Sequence, residues 1–542
     1  MSTFRSQPVP QASVNMPEAS KNVDVGIIGG GLAGLTLALQ LKQADPGLSI
    51  EILERNEFPA PEAAHKVGES TVEIGSHYLS HTLSLQSLLE RTQLRKFGLR
   101  FFFGAGHHDD LSMADELGAS SFLPTVSYQL DRGRLENDLC RTLADHGVEI
   151  LDGCTVRNVE VNDRTGPSAL HWTGNGKRGK LSCRWLIDAA SRSSPIKRHL
   201  GLGHKSRHRA SAAWLRLDTK LDVEDWSNSV DWLRRCSGIP RMFSTNHLLG
   251  TGYWAWIIPL VDDRVSIGLV ADPREHPLET FNSFEKIGLW MSQHQPLLAR
   301  HLEAAADELL DFRYLKNFSH GSEGNFSNNG WALTGEAGVF ADPFYSPGTD
   351  FIAISNSFIC DLVLHGDDDP MQGIRAAVYD KVYQSFFQST MSLYEEQYRG
   401  FGDTRLMVLK ATWDYAYYWS VLAWLFFREL LTDIAFLRSA EASLNAARTL
   451  NFAMQSAFRG RAAQGILSPG KGRFFDQRAI PILLDLNTAL LEPPADPWAE
   501  LRQNCQRLEE LAPMVLALLN GESPASKARE KALLGDLRSR FD

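Results

Sequence analysis

The sequence predicts an α/β fold, α+β over its full 542 residues: a strand–turn–helix–strand unit at the start, an inserted β-sheet section, and a helical C-terminal region. Three observations predict it. First, an apolar run, Val23 to Ile28, meets a glycine-rich turn. A helix of good formers follows from about Leu35 to Gln43, then a second strand, Ser49 to Leu53, ending at Glu54. Second, a hairpin region spans about Val148 to Ala190, with a β-rich section from about Ala210 to Leu269. Third, strand signals stop after about Gly366 and long helical windows take over, with aromatic clusters between Trp413 and Phe427.

A chain of this length requires two or more packed domains. Its 43% hydrophobic and 22% charged residues are ordinary for a globular protein, and its formal charge of −10 argues against nucleic acid as a partner. The six cysteines, at 140, 154, 183, 236, 360 and 505, form no C-x-x-C pair, so neither a metal site nor a redox dithiol is expected. Residues 1–20 are polar and read as a flexible tail, not a secretion signal. The apolar stretch Tyr417 to Phe427 is about half the length needed to span a bilayer. A cytoplasmic protein without a membrane span is therefore expected.

Gly29, Gly31 and Gly34 form G-x-G-x-x-G between strand and helix. The first glycine permits a tight turn, the second lets a pyrophosphate approach the backbone, and the third lets helix and strand pack closely. With Leu32 and Ala33 in the turn that leads to the helix N-terminus, this predicts a Rossmann-like dinucleotide site. Glu54 stands at the end of the second strand, placed to accept hydrogen bonds from a ribose. The same glycine pattern recurs at Gly174, Gly176 and Gly179, but between two strands and with no helix after it. That second copy is read as a hairpin turn on Asn175–Gly176.

Further segments choose the dinucleotide. Leu186–Arg192, containing Asp188, resembles the strand and turn that follow the central hairpin of FAD-dependent aromatic hydroxylases. Trp331–Gly338, containing Gly335 and Glu336, resembles that superfamily's second FAD motif, with Glu336 where aspartate is usual. Tyr128–Arg132 resembles its Asp-Arg segment and adds Arg132. The resemblance implies FAD. No second nicotinamide fingerprint is present, so either a nicotinamide binds fleetingly on the FAD domain or a separate flavin reductase delivers reduced flavin (FADH2).

Trp254 and Trp256 lie two residues apart in Trp254-Ala-Trp-Ile-Ile-Pro259 and so project from one face of a strand as a water-excluding wall. This Trp-x-Trp-x-Ile-Pro stretch resembles the signature of the flavin-dependent halogenases. Lys96 to Phe101 resembles that family's Lys-x-Gly-x-x-Phe stretch, which implies a catalytic role for Lys96. Val67-Gly68-Glu69-Ser70 resembles a flavin-proximal segment of the family. Ala341 to Asp350 resembles its Asp-Pro loop, which implies flavin contact at Pro343 and halide held at Pro347, Gly348 and Thr349. Tryptophan halogenases have a glutamate before the serine of this loop. Here Tyr345 precedes Ser346, so the carboxylate partner for the lysine is expected to be missing, and the branch acting on phenols or pyrroles is favoured.

The resemblance implies halogenation, in secondary metabolism such as antibiotic biosynthesis, of an electron-rich aromatic substrate, free or tethered to an acyl carrier protein. Reduced FAD, dioxygen and chloride or another halide would give hypohalous acid, and Lys96 would direct it to the ring. The alternative is a non-halogenating FAD-dependent monooxygenase on the same scaffold. The expected layout is a tail over 1–20, an FAD-binding domain over 21–365 interleaved with a substrate sheet (about 75–125 and 205–325), and a helical cap over 366–542.

Overall fold

A computed structural model describes residues 18–541, apart from 64–65, 163–165, 367–368 and 494. Two sheets organise the chain. The first has its parallel centre where the glycine motif predicted it: strand Glu18–Ile28 lies between Ile50–Leu53 and Lys177–Asp188, parallel to both. Ile50–Leu53 is in turn parallel to Glu149–Leu151. On the far side of Lys177–Asp188 the sheet divides. Ser168–Gly174 pairs antiparallel with its first half and Trp331–Leu333 parallel with its last three residues. The turn at Asn175 and Gly176 has positive φ at both residues (51° and 69°), the two-residue hairpin geometry expected there.

Helix Leu32–Ala44 leaves the first strand directly after the glycines and is buried along most of its length. Of the segment expected to be a tail, residues 1–17 lie outside the described residues. Glu18 to Ser20 instead open the first strand, in register with Arg178 to Lys180. Backbone pairing to a long neighbour overrides the polar side chains there.

The second sheet has eight strands, in the order Leu309–Leu315, Ser211–Leu217, Arg264–Ala271, Tyr253–Leu260, Thr245–Gly250, Leu99–Phe103, Asp115–Gly118 and Phe474–Asp476. The last strand corrects the reading of the C-terminal region as free of strands. Three residues add backbone hydrogen bonds to the edge strand at Asp115, a run too short to leave a period-two signal in sequence. The C-terminal region is thus stitched into the sheet, and its long helices, Gln372–Ser392, Thr404–Tyr417, Ile434–Ala462 and Pro497–Leu519, pack over one sheet face.

Strand Tyr253–Leu260 sorts its side chains by the pleat. Trp254, Trp256 and Ile258 join the core shared with those helices, while Tyr253, Ala255 and Ile257 join a separate core beneath the sheet. Helix Thr404–Tyr417 continues through a π-helical turn, Tyr418–Leu422. Such turns re-aim side chains and recur at functional sites.

Candidate active site

Three glycines differ in what they leave room for. A Cβ on Gly34 would lie 2.0 Å from the Gly29 carbonyl, and one on Gly29 would lie 2.5 Å from that of Ala189; Gly29 also holds φ +110°. Gly31 faces open space, its nearest neighbour being the Glu136 carboxylate at 4.0 Å. Two glycines therefore make the turn and one leaves the helix N-terminus approachable, which suits a pyrophosphate. Gly34→Ala is expected to destabilise the protein by roughly 3 kcal/mol through overpacking. Gly31→Ala should leave thermal unfolding nearly unchanged while weakening FAD binding, and flavin titration against melting temperature separates the two.

Around this turn the structure gathers most of the residues expected to contact the cofactor. Glu54 accepts from the Gly30 amide at 2.8 Å and from the Asn56 amide at 2.9 Å. Arg132 donates to the Val67 carbonyl at 2.8 Å and to Glu136 at 2.8 Å, and its buried Nε has no partner. The amide of Leu32 donates to the same Glu136 at 3.2 Å. Gly68 and Gly335 hold positive φ, and Gly335 sits against Ala33. Glu336 accepts from Ser191 at 2.5 Å. Asp188 points inward: its carboxylate accepts from the amides of Ala190 and Ile196, and burial pushes it up to about 6. It shapes the turn from within. An open helix start and an unpartnered Arg132 Nε fit FAD, which Glu54, Arg132 and the Gly29–Gly34 turn would hold.

Lys96 is 3% exposed. Its Nζ donates to Ser70 Oγ at 2.8 Å and to the Thr71 carbonyl at 2.7 Å. Ser70 Oγ also meets Thr245 Oγ1 at 2.8 Å and Ser346 Oγ at 3.0 Å. One serine thus joins the Val67–Ser70 segment, the lysine, the strand before the tryptophans and the Asp342–Asp350 loop. Burial pulls the Lys96 ammonium down to about 7, against the opposing pull of the Glu73 and Asp350 carboxylates.

Trp254 and Trp256 lie 5.7 Å apart between ring centroids, both buried. Phe344 of the loop packs edge-on against Trp254 at 5.2 Å. The Trp254 indole donates to Tyr398 Oη at 2.9 Å. Tyr398 donates in turn to Asp342, which also pairs with His208 at 2.7 Å. The wall is therefore tied to the loop by a buried polar chain as well as by packing. His247, stacked on Phe101 at 4.9 Å, is driven down to about 3 by burial and by Lys96, and stays neutral.

Pro343 opens the loop's turn Pro343–Tyr345, capped by Asp342, and Pro347 caps helix Gly348–His365. Gly348 is exposed at the helix start, while Thr349 is buried against Gly75. Asp350 accepts from the Gly75 amide at 2.8 Å and from Tyr418 Oη at 2.7 Å, and burial pushes it up to about 7.

Two cavities adjoin the lysine. One is lined by Lys96, Glu73, Phe97, Phe122, Thr125 and Trp419 among others. The second is lined by Tyr345, Pro347, Asp350, Tyr394, Asp414 and Tyr418 among others. Val72, Glu73, Leu99 and Tyr415 line both, so the two cavities share a wall there. Helix positions Tyr415, Tyr418, Trp419 and Leu422 face them, while Trp413 and Trp424 turn into the core.

Carboxylates are therefore present beside the lysine, against the expectation drawn from Tyr345. They come from Glu73 and Asp350, which sequence reading passed over. Glu73 reads as an ordinary first-turn acid of a short helix. Asp414 was the one acid inside an aromatic run, a signal that was legible.

Fold and turn together define a protein with an FAD binding domain, and residues 22–248 match the family described by that name. The chain is a homologue of the flavin-dependent halogenases, FAD-dependent oxidoreductases. It is 26% identical over 442 residues to flavin-dependent halogenase chlA of Dictyostelium discoideum, covering 74% of this chain and 70% of that one. It is 25% identical over 343 residues to a 1H-pyrrole-2-carbonyl peptidyl-carrier-protein brominase of Pseudoalteromonas luteoviolacea, covering 61% and 74%. The fold is that of halogenase PltM, solved with phloroglucinol and FAD, at TM-score 0.64 and 19% identity over 96% of this chain and 99% of that one. Among the described residues no helix is long and apolar enough to cross a membrane.

Proposed function

We propose that this protein halogenates an electron-rich aromatic ring, a phenol or a pyrrole, using reduced FAD, dioxygen and halide. The observation that supports it most is the buried Lys96, which lines a cavity walled by Phe97, Phe122, Tyr415 and Trp419. When bound, reduced FAD supplies with dioxygen the oxidising power that turns halide into hypohalous acid. The protein's own work is then positional. Gly348 and Thr349 at the helix start would hold halide. Trp254 and Trp256 would keep substrate and flavin apart and exclude water. Lys96 would take up the small oxidant by hydrogen bond or as a haloamine and aim it at one ring carbon.

One relative named above, the Pseudoalteromonas brominase, acts by its description on a carrier-bound pyrrole, and the structural neighbour was solved with a phenol. Both rings suit the aromatic lining. A separate flavin reductase is the expected electron donor, and a carrier protein is the second expected partner.

The test is a reaction containing the FAD-loaded protein, a reductase, halide and a panel of phenols and pyrroles. The expected result is a product whose mass shift changes when chloride is replaced by bromide. Insertion of oxygen without any need for halide would overturn the reading in favour of a monooxygenase.

A further inference from the structure

We infer that Glu73 is a further catalytic residue, the acceptor for the hydroxyl or ring N–H proton of the aromatic substrate. This rests on the halogenation reading above. Among the described residues Glu73 is the one carboxylate that lines both cavities, in the wall that the Lys96 pocket shares with the aromatic pocket. It opens the helix Glu73–His77, whose backbone fixes it beside the Val67–Ser70 segment.

Its side chain is held loosely, with the Trp419 indole and the Thr125 hydroxyl as its donors and no charged partner in hydrogen-bond contact among the described residues. The contacts from Thr125 Oγ1 at 3.5 Å and Asn487 Nδ2 at 3.4 Å are at or near the limit of a hydrogen bond. The other two acids behave differently. Asp350 is taken by the Gly75 amide and Tyr418, and Asp414 by Lys410, Tyr345 and Gln455. Trp419 and Tyr394 line the same spaces, and the Trp419 indole faces the Glu73 carboxylate. A loosely held carboxylate among aromatic walls describes a site shaped for a polar aromatic guest. Burial raises the Glu73 carboxyl above its ordinary range, which moves its basicity toward that needed to take a proton at neutral pH.

The step balances as follows. The ring carbon ortho or para to a hydroxyl attacks the halogen of hypohalous acid held at Lys96. The carbon–halogen bond forms, the halogen–oxygen bond breaks, and its electron pair leaves with oxygen as hydroxide. The substrate O–H proton passes to the Glu73 carboxylate as the oxygen lone pair closes to a carbonyl. Rearomatisation sheds the ring C–H proton to the hydroxide, giving water, and Glu73 returns its proton to the ring oxygen. The net change is ArH plus hypohalous acid to ArX plus water.

The test compares a resorcinol-type phenol with its full methyl ether, which has no proton to give. Hypohalous acid is measured separately, with a small dione trap and no aromatic substrate. In Glu73→Gln, phenol halogenation should fall about 10²-fold, in line with loss of a general base. With both rates read on the plateau well above the Lys96 titration, the methyl ether rate should fall far less than the phenol rate, FAD uptake should persist, and Glu73→Asp should recover part of the phenol rate. Equal losses on phenol and ether, or no loss on either, would overturn the role of Glu73 alone. Absence of trap halogenation in wild type would instead overturn the halogenation reading on which it rests. Retained FAD uptake establishes folding in every variant.

Discussion

Replacing Lys96 with alanine is expected to reduce ring halogenation by about 10³-fold while FAD binding and halogenation of a free trap persist. The amine is buried and held by Ser70 and the Thr71 carbonyl, so the methyl group left behind offers nothing to direct an oxidant. Lys96→Arg should fare no better, because a guanidinium stays protonated across the working range and cannot serve as a nucleophile. The pH dependence has a definite sign. Burial holds the amine near 7, so its neutral form grows as pH rises through about 7. If the neutral amine takes up the halogen, ring halogenation rises along that limb and levels off above it.

Asp350 titrates in the same window, Glu73 faces the amine too, and His247 is already neutral. Asp350→Asn is therefore the control. It removes an opposing carboxylate, so the limb should persist and move to lower pH. A limb that vanishes in Asp350→Asn would assign it to the aspartate. Unchanged ring halogenation in Lys96→Ala would remove the lysine from the mechanism altogether.

How much of this was legible follows the range of the forces involved. The glycine turn, the first helix and the asparagine–glycine hairpin are local, each written in a few adjacent residues, and all three stand where the sequence placed them. The pairing of Trp254 with Trp256 followed from the pleat alone. The strand at Phe474 did not, because three residues paired to a distant edge leave no periodic trace. The carboxylates near Lys96 escaped for a related reason. Glu73 and Asp350 are hundreds of residues apart, and only tertiary packing brings the Asp350 carboxylate onto the Gly75 amide, one turn from Glu73. Sequence motifs named the lysine and the wall, but not the chemistry between them. Asp188 illustrates the opposite case: a motif residue whose side chain holds the turn together from inside.

The second large effect is expected at Lys410, outside every sequence motif. It is buried, pairs with Asp414 at 2.8 Å and donates to Gln455 Oε1 at 2.8 Å. Asp414 in turn accepts from Tyr345 Oη at 2.9 Å and from Gln455 at 2.7 Å. Tyr345 stands where tryptophan halogenases carry a glutamate, so the helical region meets the changed loop residue with a carboxylate of its own. Lys410→Met strands that carboxylate in an apolar core, at a cost on the order of 3–5 kcal/mol, read as an earlier unfolding transition. Converting both members, Lys410→Met with Asp414→Leu, should restore most of the loss, since two charges need not then be buried. The double variant also leaves the Tyr345 hydroxyl without its acceptor at the cavity wall. Its stability should recover while its KM for a phenol shifts, which separates support of the fold from shaping of the pocket. Full stability in Lys410→Met alone would mean that Tyr345 and Gln455 suffice to hold Asp414 charged.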